Sequence, residues 1–255
     1  MDKLKLYDDK IEFMIIGSRQ QLEKVSVAEL SVGDTSVAPD STARNLGVLF
    51  DRNLKFDAQI TKTCCTGYHY LHNIRKTRKY LTLDSTTCLV QAPVMGRVDY
   101  CNRLLYGLPR NNINKLQRLQ NMAARLITNT PRFCHTTPVL CQLHWLPVGV
   151  RIKFKVIHIT FKAIHGLVSY YVQSLMEVKE KSSYNLRSNG ELLLAPPTFK
   201  SKKTLDDWAF QVAAPTLWNK LPSALRMETS LKRFKAKLKT LLFKEGMIYS
   251  FTTHE

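Results

Sequence analysis

The first candidate for chemistry in the sequence is a pair of adjacent carboxylates, Asp8 and Asp9, which lie in an apolar, strand-like segment. Polymerases hold two divalent metal ions with paired carboxylates. Neighbouring residues of a strand point to opposite faces, however, so these two side chains cannot close on one metal site. We therefore expect no catalytic residue in this pair and no cofactor.

Cysteine and histidine form two further groups that could bind a metal or act as nucleophile and base. They are Cys64 and Cys65 with His69 and His72, and Cys134 and His135 with Cys141 and His144. Neither group has the paired Cys-x2–4-Cys spacing that closes a tetrahedral zinc site. Neither supplies a third group that would orient a histidine base for a cysteine nucleophile. We expect reduced thiols and no metal site.

Basic residues carry the strongest signal. Residues 1–55 hold 8 Lys and Arg against 9 Asp and Glu, whereas residues 56–255 hold 30 against 11. Between Asp99 and Glu177 there are ten Lys or Arg residues and no acidic residue. Such a field favours a polyanionic partner, most simply RNA or DNA, and the alternative is a basic protein kept soluble by its charge.

The basic residues recur at helical spacing, which phosphate contacts along a nucleic acid require. Three groups qualify as candidate phosphate contacts: Arg75, Lys76, Arg78 and Lys79; Lys115, Arg118 and Arg125; and Arg151, Lys155 and Lys162. The alternative for each group is a solvated helix face. Four aromatic residues could stack on bases or belong to the core, namely Tyr68, Tyr70, Tyr100 and Trp145.

Hydrophobic periodicity predicts the helices that position these groups. Apolar residues at intervals of three and four predict helices over roughly 56–80, 111–128, 150–165 and 230–244, and another from about Ser85. Pro93 should kink or end that last helix. Residues 178–204 are polar and basic and predict a long loop with a short strand near Leu192 to Leu194.

The first fifty residues predict strands instead. Residues 11–16 and 46–51 are short apolar runs closed by Gly or Asp, and a hairpin over about 25–38 should lie between them. So few strands cannot enclose a core of their own. We therefore expect them to be the end of a larger domain.

The two strand motifs, in this order and spacing, resemble the end of the palm in reverse transcriptases of LINE-type (non-long-terminal-repeat) retrotransposons. The matching positions are Lys10, Glu12 and Phe13 in the first motif, and Leu46, Gly47, Val48, Phe50 and Asp51 in the second. The first motif departs from the family pattern at Tyr7 and Ile11. The resemblance implies that Lys10 corresponds to a lysine near the incoming triphosphate, although without a nucleotide pocket we expect a solvated lysine.

Further motifs extend the resemblance over almost the whole chain. They are residues 97–102, 115–126 and 137–148, and the closing segment 213–222, which contains Ala213-Ala214-Pro215 and Leu217-Trp218-Asn219. In the family, the metal-binding aspartates lie in an Ala-Asp-Asp turn and in an earlier strand, and neither occurs in this sequence. The resemblance thus implies a part of the polymerase that follows the catalytic turn.

These observations predict an α+β, mainly helical chain with a β-rich palm remnant (1–55), a helical thumb (56–130) and a helical C-terminal region (131–255). We expect a truncated, non-catalytic part of a reverse transcriptase that binds RNA, DNA or their hybrid through phosphates, and that could also pair with a separate catalytic palm. The alternative is an inert or protein-interaction remnant of a mobile element. No apolar run is long enough for a membrane span and no secretory signal is evident, so we expect an intracellular protein, cytoplasmic or nuclear.

Overall fold

A computed structural model describes residues 11–27, 29–32, 35–179, 192–197 and 209–252 of the chain. The chain divides into two compact units, Met1–Cys65 and Thr66–Glu255. The first contains two small antiparallel hairpins, and the second is dominated by helices, which confirms the predicted α+β, mainly helical fold class. The predicted regions 1–55, 56–130 and 131–255 stay predictions.

The first unit begins with a short helix, α1 (Arg19–Leu22), which the side chain of Ser18 caps. Strands β1 (Leu30–Val32) and β2 (Thr35–Val37) form one antiparallel hairpin, as predicted. Strands β3 (Thr42–Asn45) and β4 (Val48–Asp51) form a second hairpin. Within the described residues of this unit, each sheet has two strands.

Of the two predicted palm strands, the one over 46–51 is present as β4 from Val48 onward, whereas the one over 11–16 is reduced to a single bridge in its described residues. Leu46 and Gly47 form the two-residue turn between β3 and β4, with φ values of 46° and 81°. Such a tight turn needs positive φ at both positions, a conformation that glycine adopts without strain. In the described part of residues 1–16, Phe13 makes a single bridge to Pro39. A continuous strand needs a partner along its length, and this segment has none among the described residues.

Helix α2 (Asp57–Thr77) continues into a 3-10 turn over Arg78–Tyr80, which confirms the helix predicted over 56–80. Its apolar stripe is buried, including Ile60 and Leu71, each 1% exposed. Within the second unit, Gly67 lets α2 approach α5 (Arg110–Thr128) closely. A Cβ atom added at Gly67 would lie 2.6 Å from the Cδ2 atom of Leu119.

The chain passes through Pro93 without leaving the helical conformation. Helix α3 (Leu83–Val90) leads into a π-helical turn over Gln91–Met95, and α4 (Gly96–Asp99) follows. The amide of Gly96 donates to the carbonyl of Gln91, which closes the wider turn. Proline lacks an amide donor and clashes with an ordinary α-turn, and the wider turn avoids that conflict. A 3-10 turn over Asn102–Leu105 then leads towards α5.

The next helices are α6 (Thr136–Gln142), α7 (Val148–Ile164) and α8 (Tyr170–Gln173). Helices α5 and α7 confirm the predictions over 111–128 and 150–165. Two amides of α5 hold the start of α7. Gln117 Oε1 accepts from the amide of Val148 at 2.8 Å, and the fully buried Gln120 donates through Nε2 to the Leu146 carbonyl at 2.9 Å. Polar residues of the 115–126 motif therefore have a structural role.

Helices α9 (Phe210–Trp218), α10 (Ser223–Arg226) and α11 (Leu231–Thr252) complete the second unit. Helix α11 is longer than the predicted 230–244. Its Phe234 ring stacks on Phe161 of α7 with centroids 4.1 Å apart and lies 5.9 Å from the Trp218 ring of α9. All three side chains are fully buried, so they form the centre of the helical core.

The closing motif anchors the segment after the polar loop. Trp218 donates through Nε1 to the Leu192 carbonyl at 2.9 Å. The side-chain amide of Asn219 both donates to the Leu194 carbonyl and accepts from the Leu194 amide. Instead of the predicted strand, Leu194 makes one isolated bridge to Val178. Residues 180–191 and 198–204 of the predicted loop lie outside the described residues.

Candidate nucleic-acid interface

The second unit contains a cleft of about 950 Å³ where the C-terminal turns of α2 and α5 lie side by side. Residues from the end of α2, from α5 and from the loop that follows α5 line it. The lining residues are Tyr68, Arg75, Arg78, Lys79, Arg118, Asn121, Met122, Arg125, Leu126, Asn129, Thr130, Pro131 and Arg132.

The lining of this cleft is strongly cationic. Among the described residues, thirteen line the cleft, of which six are Arg or Lys and none is Asp or Glu. The structure thus brings together members of two predicted stripes, one on α2 and one on α5, that the sequence places some forty residues apart. Lys76 and Lys115, which belong to the same predicted stripes, are exposed but do not line the cleft.

Arg78 has a structural role at the edge of this cleft. Its guanidinium donates from Nε to the Leu126 carbonyl at 3.0 Å, from Nη2 to the Ile127 carbonyl at 2.9 Å and from Nη1 to the Leu81 carbonyl at 2.9 Å. The first two carbonyls belong to the last turn of α5, where helix carbonyls lack intrahelical partners. A cation there also offsets the partial negative charge of the helix end. Arg78 therefore fastens α2 to α5 while keeping its charge at the cleft.

Arg125 lies in the cleft wall on α5 and is only partly satisfied. Its Nη2 donates to the Cys134 carbonyl at 2.9 Å. Its Nε is buried and has no hydrogen-bond partner among the described residues. No carboxylate lines the cleft beside it, so the charge of Arg125 lacks a counter-ion there.

Four further cations are exposed at the cleft, namely Arg75, Lys79, Arg118 and Arg132. Within the described part of the chain, none of them forms an ion pair. Their charges are therefore available to a soluble anion. Arg132 was not among the residues predicted from sequence, because it follows the helix in a loop and so breaks the helical spacing.

The third predicted stripe, on α7, does not line this cleft. Arg151 is held by a bidentate ion pair with Asp99 of α4, in which Nε lies 2.8 Å from Oδ1 and Nη2 contacts Oδ2. Asn102 also donates to Asp99 Oδ1 at 3.2 Å. The phosphate contact predicted for Arg151 stays a prediction, and in the structure its Nε and Nη2 atoms have a carboxylate partner instead.

Lys155 and Lys162 flank His158 on the same helix, away from the cleft lining. Burial, together with the charges of Lys235 on α11, Lys162 and Lys155, lowers the pKa of His158 from 6.5 to about 4. The His158 Nε2 atom is buried without a hydrogen-bond partner among the described residues. The α7 stripe is thus a separate cationic cluster around a neutral imidazole.

Three of the predicted palm landmarks, Leu46, Gly47 and Asp51, lie in the described part of the first unit and have structural roles. Leu46 and Gly47 form the hairpin turn described above. Asp51 Oδ1 accepts from the amides of Asn53 at 3.1 Å and Lys55 at 2.9 Å, which stabilises the turn after β4. Lys10 lies outside the described residues.

Of the four aromatic residues considered for stacking, only Tyr68 lines the cleft. Trp145 is buried at 5% exposure and belongs to the core. The Tyr70 ring lies 5.7 Å from the Arg97 guanidinium, in a cation–π contact. Tyr100 is half exposed and lies away from the cleft lining.

A second cavity of about 790 Å³ lies along α5, with walls from α6, α7 and α11. It contains Arg110, Lys153 and Glu245 together with amide, hydroxyl and apolar side chains. Its mixed charge suits a polyanion less well than the first cleft does. Asn121 lines both cavities.

No group of three or more His, Cys, Asp or Glu residues in the described ranges could hold a metal ion. None of the described helices is long and apolar enough to cross a membrane. In comparisons with known proteins, no protein-family model, no curated protein and no solved structure matched the chain.

Proposed function

We propose that residues 66–255 bind the phosphate backbone of RNA or DNA in the cationic cleft between the ends of α2 and α5. The cleft lining carries this proposal, because it combines six Arg or Lys residues with no acidic residue. Four of these six residues, Arg75, Lys79, Arg118 and Arg132, are exposed and form no ion pair in the described structure. The guanidinium groups of the arginines can each bind phosphate oxygens through two parallel hydrogen bonds. Phosphate contacts carry no sequence information, so binding should be non-specific.

We propose further that the chain corresponds to the thumb and C-terminal part of a LINE-type reverse transcriptase, with residues 1–55 as the end of the palm. Support comes from the sequence motifs named above and from the basic helices that follow them. The sequence has no Ala-Asp-Asp turn. The chain alone should therefore bind nucleic acid without polymerising it, because metal-assisted nucleotidyl transfer needs those carboxylates.

A salt titration tests the binding. The purified chain is titrated into a fluorescein-labelled RNA–DNA hybrid at several salt concentrations, and the dissociation constant is read from anisotropy. Four phosphate contacts predict a slope of about −3 to −4 for the logarithm of the association constant against the logarithm of the salt concentration. Between about 50 and 200 mM salt, that slope weakens binding roughly 100-fold.

Two neighbouring residues of α2 provide a matched pair of variants. Arg75 lines the cleft, whereas Lys76 is also exposed and does not. Arg75→Gln should weaken binding and reduce the magnitude of the salt slope by about 1, because one phosphate contact is lost. Lys76→Gln removes one charge outside the cleft. It should therefore change the dissociation constant and the salt slope less than Arg75→Gln does.

Equal effects of the two variants would mean diffuse attraction to a basic surface and would contradict the cleft as the site. Absence of binding even at low salt would contradict the function. That result would favour the alternative of an inert or protein-interacting remnant.

A further inference from the structure

Two strongly exposed aromatic residues directly follow residues that line the cationic cleft. Tyr80 is 77% exposed and directly follows Lys79, and Phe133 is 88% exposed and directly follows Arg132. Lys79 and Arg132 both line the cleft. Successive Cα atoms lie about 3.8 Å apart, so each ring is attached within a few ångströms of a lining residue.

The exposure of these rings is unfavourable for an isolated protein. Burying a phenylalanine side chain stabilises a fold by about 1.5–3 kcal/mol, yet Phe133 packs almost none of its surface. The Tyr80 ring has a cation beside it, since Lys79 Nζ lies 4.8 Å from its centroid. The Tyr80 ring is therefore exposed with a cation over one face, and the Phe133 ring is exposed directly after a cation in the sequence.

This combination suits a nucleic acid whose bases are unpaired. Single-strand-binding grooves pair cations for the phosphates with aromatic rings on which bases stack. In a duplex the bases are already stacked and paired, so their faces are closed to such rings. Tyr80 and Phe133 could therefore add to the affinity only for a strand with free bases.

We propose that the cleft is a single-strand site, in which the cleft cations hold the phosphates while Tyr80 and Phe133 stack on unpaired bases. This inference rests on the proposed function and specifies its ligand. Neither ring was predicted from sequence, because each lies in a turn or loop, outside the helical stripes.

The test compares two single strands that carry the same phosphates. One is oligothymidylate of about 12 nucleotides, a length within the usual range for one single-strand-binding fold. The other is an abasic strand of equal length. The wild-type chain should bind the oligothymidylate more tightly. Tyr80→Ala and Phe133→Ala should each weaken that binding roughly 5- to 100-fold, the range expected for one stacked base, and should leave binding of the abasic strand unchanged.

Tyr170→Ala is the control, because Tyr170 is 82% exposed on α8 and does not line the cleft. It should bind both strands as the wild-type chain does. All three side chains are exposed, so the substitutions should leave the melting temperature unchanged, which circular dichroism checks.

The outcomes separate this inference from the proposed function. If the two strands bind equally well, or if neither aromatic variant weakens oligothymidylate binding while Arg75→Gln does, the stacking role is wrong and the phosphate site remains. If neither strand binds at low salt, the phosphate site itself is wrong.

Discussion

Replacing Arg78 by lysine should separate the stability of the helical unit from the charge of its cleft. The three guanidinium hydrogen bonds of Arg78 reach the carbonyls of Leu81, Leu126 and Ile127. Lysine keeps the positive charge, but its compact ammonium group cannot reproduce the planar fork of donors. At least two of the three carbonyls should therefore lose their donor.

The structure sets the size of the expected effect. A hydrogen bond to a charged group contributes about 1.5–3 kcal/mol, so two lost bonds would cost about 3–6 kcal/mol in a dry site. Arg78 is only half-buried, and water can reach part of the vacated space. Because that access reduces the cost, we expect the free energy of unfolding to fall by about 2 kcal/mol, below the range for a dry site.

Urea denaturation followed by circular dichroism measures this loss, and anisotropy measures binding on the same samples. Arg78→Lys should lower the urea midpoint while the dissociation constant stays within about 2-fold, because the number of cations at the cleft is unchanged. Arg118→Gln should do the reverse, since Arg118 is exposed and makes no ion pair in the described ranges. Weaker binding by Arg78→Lys at unchanged stability would refute the reasoning, because Arg78 would then contact the ligand and not the helix end.

Two further predictions concern α7. Asp99→Ala should lower the free energy of unfolding by about 2 kcal/mol, somewhat below the cost of breaking a fully buried ion pair, because the side chains of Arg151 and Asp99 are 20% and 26% exposed. Asp99→Ala leaves the charge of Arg151 without its partner, so the double variant Asp99→Ala/Arg151→Met should recover part of that stability in the same urea assay. A double variant no more stable than Asp99→Ala would contradict this reasoning. His158 has its pKa lowered from 6.5 to about 4 in the folded chain, so below pH 6.5 the unfolded chain takes up a proton that the folded chain does not. The free energy of unfolding should therefore decrease as the pH is lowered from 6.5 to about 4. His158→Gln should lack this decrease. The same decrease in the variant would show that His158 does not cause it.

The helices could be predicted because their signal is local. Apolar residues three and four positions apart on α2, α5 and α7 must face a core wherever that core lies, so periodicity alone placed these elements. The excess of positive charge after residue 55 is equally a property of the sequence. Both follow from the order of residue types, without reference to the packing of one helix on another.

Local departures from regular helix and strand were harder to predict from the sequence, because they depend on backbone conformations that residue types only suggest. The 46–51 motif predicted one continuous strand; the strand is present from Val48 to Asp51, but Leu46 and Gly47 form a turn with positive φ. Pro93 predicted a kink or an end, and the chain instead widens into a π turn. In each case several backbone paths satisfy the local pattern, and the partners in the fold select one.

The candidate site was decided by tertiary structure. Sequence spacing could group Arg75 with Arg78 and Arg118 with Arg125. Only the packing of α2 against α5, which approach closely at Gly67, places both groups in the lining of one cleft. Packing also gave Arg151 a carboxylate partner from a distant helix. The sequence by itself determined that this part of the chain is helical and cationic, because helical period and charge are local. Which cations face a ligand and which face a carbonyl or a carboxylate depends on contacts between residues far apart in the chain, and those exist only in the folded protein.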